Sequence, residues 1–238
     1  GDVLVGLSRG EAASAGSLLE AADVCPTTIQ TPFQLFGPGS PIAPGALTGR
    51  SITFISPTYA TALRPCWTAP GADGDVTLSL GDDASEEVPF SEGFTFLFYG
   101  QRYSSVFVSA NGYFTFGAGG RAYSATATNH NRLPRISACM TDLHPDSASS
   151  IRVRQTADTF SVTYRNIKRL GRSAERSSFR ITLERRGDVT LSYWEVMVSG
   201  DVLVGLSRGE AASAGSLLEA ADVCPRGVES SAGSLLEA

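Results

Sequence analysis

The pattern G-x-S-x-G, which positions a nucleophilic serine in many hydrolases, occurs twice in the sequence. It reads GLSRG at Gly6–Gly10 and again at Gly205–Gly209, each time between a strand-like run and a helix candidate. Such hydrolases also need a histidine later in the chain, and none follows Ser207. Ser8 is followed by both histidines of the chain, but these lie in polar loop sequence. We therefore expect a closing strand and turn at GLSRG, and a protein that is not an enzyme and has no cofactor.

A second candidate is the acidic stretch of residues 73–92, which contains seven carboxylates and no basic residue. Calcium requires several oxygen ligands that converge on one point. Asp73, Asp75, Asp82 and Asp83 are the residues of this stretch that we consider as calcium ligands. Because the calcium loop of an EF-hand is absent, we expect a solvated acidic edge without a metal.

A third candidate is the stretch of residues 164–186, in which basic residues outnumber acidic ones by six. It could bind sulfated or carboxylated polysaccharides, nucleic acid or the acidic stretch of a neighbouring molecule, or it could be a solvated hairpin end. The net charge of −5 argues against nucleic acid. The candidate interaction residues are Arg165, Lys168, Arg169, Arg172, Arg176 and Arg180.

The four cysteines, Cys25, Cys66, Cys139 and Cys224, are disulfide candidates. Their wide spacing and even number suit an oxidised, extracellular chain, and the absence of a CxxC pair disfavours zinc. A Cys25–Cys66 disulfide would connect the tail of one repeat unit to the next unit. The alternatives are a Cys66–Cys139 disulfide within a unit and a buried, free Cys139 thiol.

The composition favours a folded protein made of short strands. The chain is 42% hydrophobic and 18% charged, with 25 glycines and 12 prolines. This composition permits a packed core and provides the turns that short strands need. No apolar run approaches the roughly 20 residues of a membrane-spanning helix, so we expect no membrane insertion.

The chain repeats part of its own sequence. Residues 1–26 are identical to residues 200–225, and the octapeptide SAGSLLEA begins at Ser14, Ser213 and Ser231. Either a recent duplication or an artefact of how the chain was made explains such identity. Under the first interpretation, residues 1–26 are the end of a preceding repeat.

The remaining chain divides into three parts. Residues 27–50 are rich in proline and glycine and predict an extended N-terminal arm or linker. Residues 210–238 predict a short helix or a tail that leads to the next repeat. Between them, residues 51–209 show period-two alternation in about ten segments, which predicts an all-β, antiparallel β-sandwich. The segments are Ser51–Ile55, Val76–Leu80, Phe94–Gly100, Ser104–Gly112, Tyr113–Gly117, Ile136–Leu143, Ser150–Thr156, Thr159–Ile167, Ser178–Arg186, Val189–Val196 and Asp201–Ser207.

Two turn signals stand out among these segments. Asn111-Gly112 and Gly187-Asp188 each separate two alternating runs, as in a tight hairpin. After the first turn, Phe114 and Phe116 should face one side of the sheet and Tyr113 the other.

Several of these runs resemble the nidogen-like (NIDO-type) extracellular β domain. The resemblance is carried in order by FLFYGQRYSSVFVSANGYFTFG (96–117), PRISACMTDLHPD (134–146), TFSVTYRNI (159–167), SSFRITLERRGDVTLSYWEV (177–196) and VLVGLSRG (202–209). It implies an extracellular module of a multidomain protein with an adhesive or structural role, and not an enzyme.

Together, the repeat and the resemblance suggest a structural repeat of an extracellular filament, flagellar appendage or cell-surface coat. Its partners would be copies of itself, joined head to tail through terminal strands and complementary charged surfaces. The alternative is a carbohydrate-binding adhesion module that uses aromatic and arginine side chains. Ser/Thr/Pro-containing segments could carry O-linked sugars, as in a glycoprotein.

Overall fold

The computed structural model describes residues 32–38, 43–62, 74, 76–91 and 93–210, which form mainly β-strands. A 3₁₀ turn spans Pro44–Leu47 and one short helix, α1, spans Ala127–His130. The strands are β1 (Phe33–Phe36), β2 (Arg50–Ile55), β3 (Ala60–Ala62), β4 (Val76–Leu78), β5 (Ser85–Pro89), β6 (Phe96–Phe98), β7 (Gln101–Tyr103), β8 (Ser105–Ser109), β9 (Tyr113–Thr115), β10 (Pro134–Met140), β11 (Leu143–His144), β12 (Ser150–Gln155), β13 (Thr159–Arg169), β14 (Arg172–Glu184), β15 (Val189–Val196) and β16 (Val202–Arg208).

The strands build two antiparallel sheets, which confirms the predicted all-β sandwich. The six-stranded sheet has the order β1-β16-β10-β9-β8-β5. The eight-stranded sheet has the order β3-β2-β15-β14-β13-β12-β4, with β11 paired to β13, and β6 and β7 form a separate hairpin. The described residues contain more strands than the expected ten or so, because pieces such as β5 are too short or too polar to show alternation.

The core lies between the two sheets and follows the predicted alternation. Phe114 and Phe116 are buried in this core, whereas Tyr113 belongs to a smaller cluster with Met140 and Leu203. Since Tyr113 and Phe114 are consecutive residues of β9 and so point to opposite faces, this second cluster covers the face of the six-stranded sheet that points away from its partner.

Both predicted hairpin turns are present. Gly112 has a φ of 75° and its missing side chain leaves room for the Cys139 carbonyl. Gly187 has a φ of 103° between β14 and β15. The predicted strand Phe94–Gly100 contains β6 but is longer than it, because the chain turns at Tyr99 and Gly100. The strand that follows this turn, β7, was not predicted.

Part of the arm expected over residues 27–50 is a strand of the sandwich. Within it, β1 pairs with β16 and forms one edge of the six-stranded sheet. This strand was not predicted, because its four residues, FQLF, are too few to show an alternation of apolar and polar residues, and the surrounding sequence is rich in proline and glycine.

The second copy of the repeated sequence contains the last strand of the sandwich, as predicted. This strand, β16, lies between β1 and β10, and six of its seven residues are buried. The first copy, residues 1–26, and the tail beyond Glu210 lie outside the described residues.

Candidate binding surfaces

The predicted basic surface lies on the β13–β14 hairpin, and most of its charges have partners within the chain. Arg176 Nη2 lies 2.8 Å from Asp146 Oδ2, and Lys168 Nζ lies 3.5 Å from the same oxygen. Arg169 Nη1 lies 3.3 Å from Glu175 Oε2. The Arg176 guanidinium holds the pKa of the Asp146 carboxyl well below its usual range. These pairs leave little free positive charge for an external partner.

The other three residues of this surface differ in environment. The guanidinium carbon of Arg165 lies 4.1 Å from the centre of the Trp194 ring, and that of Arg180 lies 5.4 Å from it. Arg180 also donates a hydrogen bond to Thr163 Oγ1 at 2.7 Å. Arg172 is exposed at the start of β14 and makes no ion pair within the described part of the chain. Because guanidinium groups already cover Trp194, its indole is poorly placed to stack on a sugar.

The acidic candidates Asp82 and Asp83 meet a third carboxylate, Asp142, that the sequence did not indicate. One ligand oxygen from each lies within 4.8 Å of the others. Burial, together with the charges of Asp83 and Asp82, raises the pKa of Asp142. Asp73 and Asp75 lie outside the described residues, so the structure brings together two of the four predicted aspartates.

Neighbouring side chains already engage this acidic cluster. Asn111 Nδ2 donates a hydrogen bond to Asp83 Oδ1 at 2.7 Å, while the Leu143 amide donates to Asn111 Oδ1 at 2.8 Å. His144 Nδ1 lies 3.2 Å from Asp82 Oδ1. The asparagine of the SANG turn is therefore a structural residue that connects the acidic turn to β11.

A cleft of about 640 Å³ lies beside the smaller apolar cluster and was not predicted. The segment between β9 and β10 forms it, and three of its lining residues are arginines, Arg121, Arg132 and Arg135. Pattern reading missed the cleft because residues 129–133 match neither the alternation of a strand nor a known motif.

Ser207 of the second GLSRG copy lies within β16 and not at a strand-to-helix turn. It is buried, and its Oγ accepts a hydrogen bond from the Gly209 amide at 3.1 Å. The absence of catalysis stays a prediction, because a buried serine in one strand does not test the activity of the protein.

Cys139 is a buried, free thiol, which contradicts a disulfide at this residue and agrees with the alternative of a buried, unpaired cysteine. Burial raises the pKa of this thiol to about 12, so it is chemically unreactive in the folded state. Cys25, Cys66 and Cys224 lie outside the described residues.

The family match is consistent with this β-sandwich. A family model described as NIDO related matches residues 58–230, which is more than two thirds of the chain. No curated protein and no solved structure matches the chain. Within the described residues, no helix has the length and apolar character to cross a bilayer.

Proposed function

Because the chain belongs to the NIDO-related family, whose domains are typically extracellular, we propose that it is a non-enzymatic structural module of an extracellular filament or surface coat. In this proposal, modules of one kind join in a row through their terminal strands.

The observation that carries this proposal is the position of β16. Neighbouring strands occupy both of its edges, and six of its seven residues are buried. Residues 3–9 have the same sequence, VLVGLSR. A segment of this composition needs partners for its backbone groups and cover for its apolar side chains. In this proposal the first copy is therefore a strand of a second sheet. That sheet belongs to a preceding module or to a neighbouring subunit that accepts the strand by strand addition.

Charged surfaces support this association less than expected. Asp146 and Glu175 pair with three of the basic candidates inside the chain. These ion pairs are partly buried, and groups that are already paired within the chain offer less charge to a partner. The terminal strands are thus the main support for head-to-tail joining.

The test compares association of the complete chain with that of a variant in the first copy. Leu7 corresponds to Leu206, which is buried in the core, and Arg9 corresponds to the exposed Arg208. We expect concentration-dependent association in sedimentation velocity and fibres in electron microscopy. Leu7→Asp should abolish both, because it places a charge where the strand must be buried.

The matched control is Arg9→Gln, which changes the same strand at its exposed position and should associate like the parent. Deletion of residues 1–26 should have the same effect as Leu7→Asp. A chain that remains monomeric at all concentrations, or that associates equally with and without residues 1–26, would contradict joining through this strand.

A further inference from the structure

The unpredicted cleft is lined by polar and basic residues on one side of the six-stranded sheet. The segment from Gly117 to Leu133 folds over this face and ends at β10. The volume of the cleft, about 640 Å³, is in the range of small-molecule binding sites. The polar side chains that line it are Arg121, Tyr123, Ser124, Asn129, Arg132 and Arg135.

Arg135 is the unusual member of this lining, because it carries a buried positive charge. Only 1% of the residue is exposed. Its register neighbours on β9 and β16 are Thr115 and Ser207, so neither adjacent strand provides a carboxylate. Among the described residues Arg135 forms no ion pair, and its Nε has no hydrogen-bond partner.

The contacts that Arg135 does make are weak for a guanidinium. Its Cζ lies 4.1 Å from the centre of the Tyr113 ring, and Nη1 donates to Met140 Sδ at 3.5 Å. Burial lowers the pKa of Arg135, although an arginine still keeps its proton at neutral pH. A buried cation without an anion is costly, so its position favours an anionic partner from outside the described residues.

The Tyr113 hydroxyl adds a second unused polar group near the cleft. Tyr113 is fully buried beside the Arg135 guanidinium, and within the described residues no hydrogen bond of standard geometry satisfies its hydroxyl. It lies directly beneath Gly120, where an added Cβ would be 3.1 Å from the hydroxyl oxygen. Gly120 therefore keeps the space above a buried hydrogen-bonding group open to the cleft.

The charge of the cleft is all of one sign. Arg121 and Arg132 are exposed at its rim, Arg135 is at its base, and no aspartate or glutamate in the described part of the chain lines it. Tyr123 is 51% exposed and presents an aromatic ring at the same rim. Guanidinium groups match oxyanions with paired hydrogen bonds, and an aromatic ring packs on the apolar face of a sugar.

We propose that this cleft binds a small oxyanionic ligand, an acidic sugar that seats its carboxylate on Arg135 between Arg121 and Arg132. This inference is independent of the assembly proposed above, because it uses neither β16 edges nor residues 1–26.

The test titrates the full chain with digalacturonate and follows binding by ligand-observed NMR and calorimetry. Its neutral counterpart, a galactose disaccharide, separates charge recognition from sugar stacking, and sodium sulfate separates an acidic sugar from a free oxyanion. We expect digalacturonate to bind at least ten times more tightly than the neutral disaccharide.

The variants are chosen to leave the fold intact. Arg132→Gln and Arg121→Gln remove exposed rim charges and should each weaken digalacturonate binding about tenfold. Arg172→Gln is the matched control, since it removes one exposed arginine from the other sheet and should leave binding unchanged. Arg135→Gln should abolish binding, with circular dichroism to verify folding.

The outcomes are distinct. If sulfate binds as tightly as digalacturonate, and Arg132→Gln abolishes sulfate binding, the ligand is a free oxyanion. The cleft would then still be an oxyanion site, but the assignment of an acidic sugar would be wrong. If digalacturonate does not bind, or if Arg172→Gln weakens binding as much as Arg132→Gln, the proposed site is wrong.

Discussion

His130 shows how a single residue acquires its properties from its surroundings. It is fully buried next to Ser137, with its Nδ1 2.9 Å from the Ser137 hydroxyl. Burial lowers the pKa of His130 to about 3, and the positive charge of Arg135 adds to this effect. In the sequence the same residue lies in a polar loop, and only its burial beside Phe33 and Ser137 makes it a neutral, structural imidazole.

This burial predicts a defined pH dependence of stability. An unfolded histidine titrates near pH 6.5, so between about pH 6.5 and pH 3 the unfolded state binds one more proton at this site. The free energy of unfolding should therefore fall with decreasing pH, by up to about 1.4 kcal/mol per pH unit for this residue. His130→Asn should reduce the slope by that amount in urea unfolding between pH 4.5 and 6.

The control is His144→Asn, which replaces the only other histidine of the chain. His144 is partly exposed beside Asp82, so comparison of the two variants separates the effect of the buried imidazole from that of losing any histidine. The Asp146 carboxyl, whose pKa is lowered, adds its own loss of stability below about pH 5, and this contribution is common to the parent and both variants. Equal slopes in the parent and in His130→Asn would contradict the prediction.

At the scale of elements, the contact between β1 and β16 depends on one glycine. Gly205 has a φ of 145°, and an added Cβ would overlap the backbone of Pro32 and Phe33. The Leu206 amide donates to the Pro32 carbonyl at 2.8 Å in the same region. Gly205, the first residue of the second GLSRG copy, lies within β16 and permits this close approach of the two strands, which is a structural reason for a glycine here.

We expect Gly205→Ala to separate β1 from the edge of the sheet. The loss should be about 2 kcal/mol of unfolding free energy, from strain and lost strand hydrogen bonds. Amide hydrogen exchange at Leu206 should accelerate. Gly81→Ala is the control, because its added Cβ meets no atom within 4 Å, and it should change stability by less than about 0.5 kcal/mol. Unchanged exchange at Leu206 in Gly205→Ala would show that β1 packs differently.

At the scale of the whole molecule, two tyrosines of the eight-stranded sheet connect it to the other sheet. Tyr164 donates a hydrogen bond to the Ser109 carbonyl at 2.9 Å, and Tyr193 donates to the Ala138 carbonyl at 2.8 Å. Both side chains are fully buried, and burial raises the pKa of each hydroxyl well above its usual value. These bonds fix the relative positions of the sheets across an otherwise apolar core.

Tyr164→Phe and Tyr193→Phe should each lower the free energy of unfolding by about 1–2 kcal/mol, since each leaves a buried carbonyl with one partner fewer. Urea unfolding followed by fluorescence and circular dichroism measures the loss, and coincident transitions would show that the sheets unfold together. Tyr123→Phe, at an exposed position, should be neutral. A neutral effect of both buried changes would mean that the cross-sheet bonds contribute nothing.

The sequence by itself determined the fold class, the two glycine turns and the last strand. Each depends on neighbours in the chain: alternation over five to ten residues, a glycine between two runs, or a repeated segment. For the same reason Phe114 and Tyr113 could be assigned to opposite faces before the structure was known.

The tertiary structure alone decided the binding surfaces. Asp146 meets Arg176 and Asp142 meets Asp82 only because β-strands far apart in the chain become neighbours. Likewise, Arg135 lies opposite Thr115 and Ser207, and not opposite a carboxylate, because the register of the sheet decides its partners. Electrostatic interactions depend on distance and burial in space, and a one-dimensional pattern of charges contains neither.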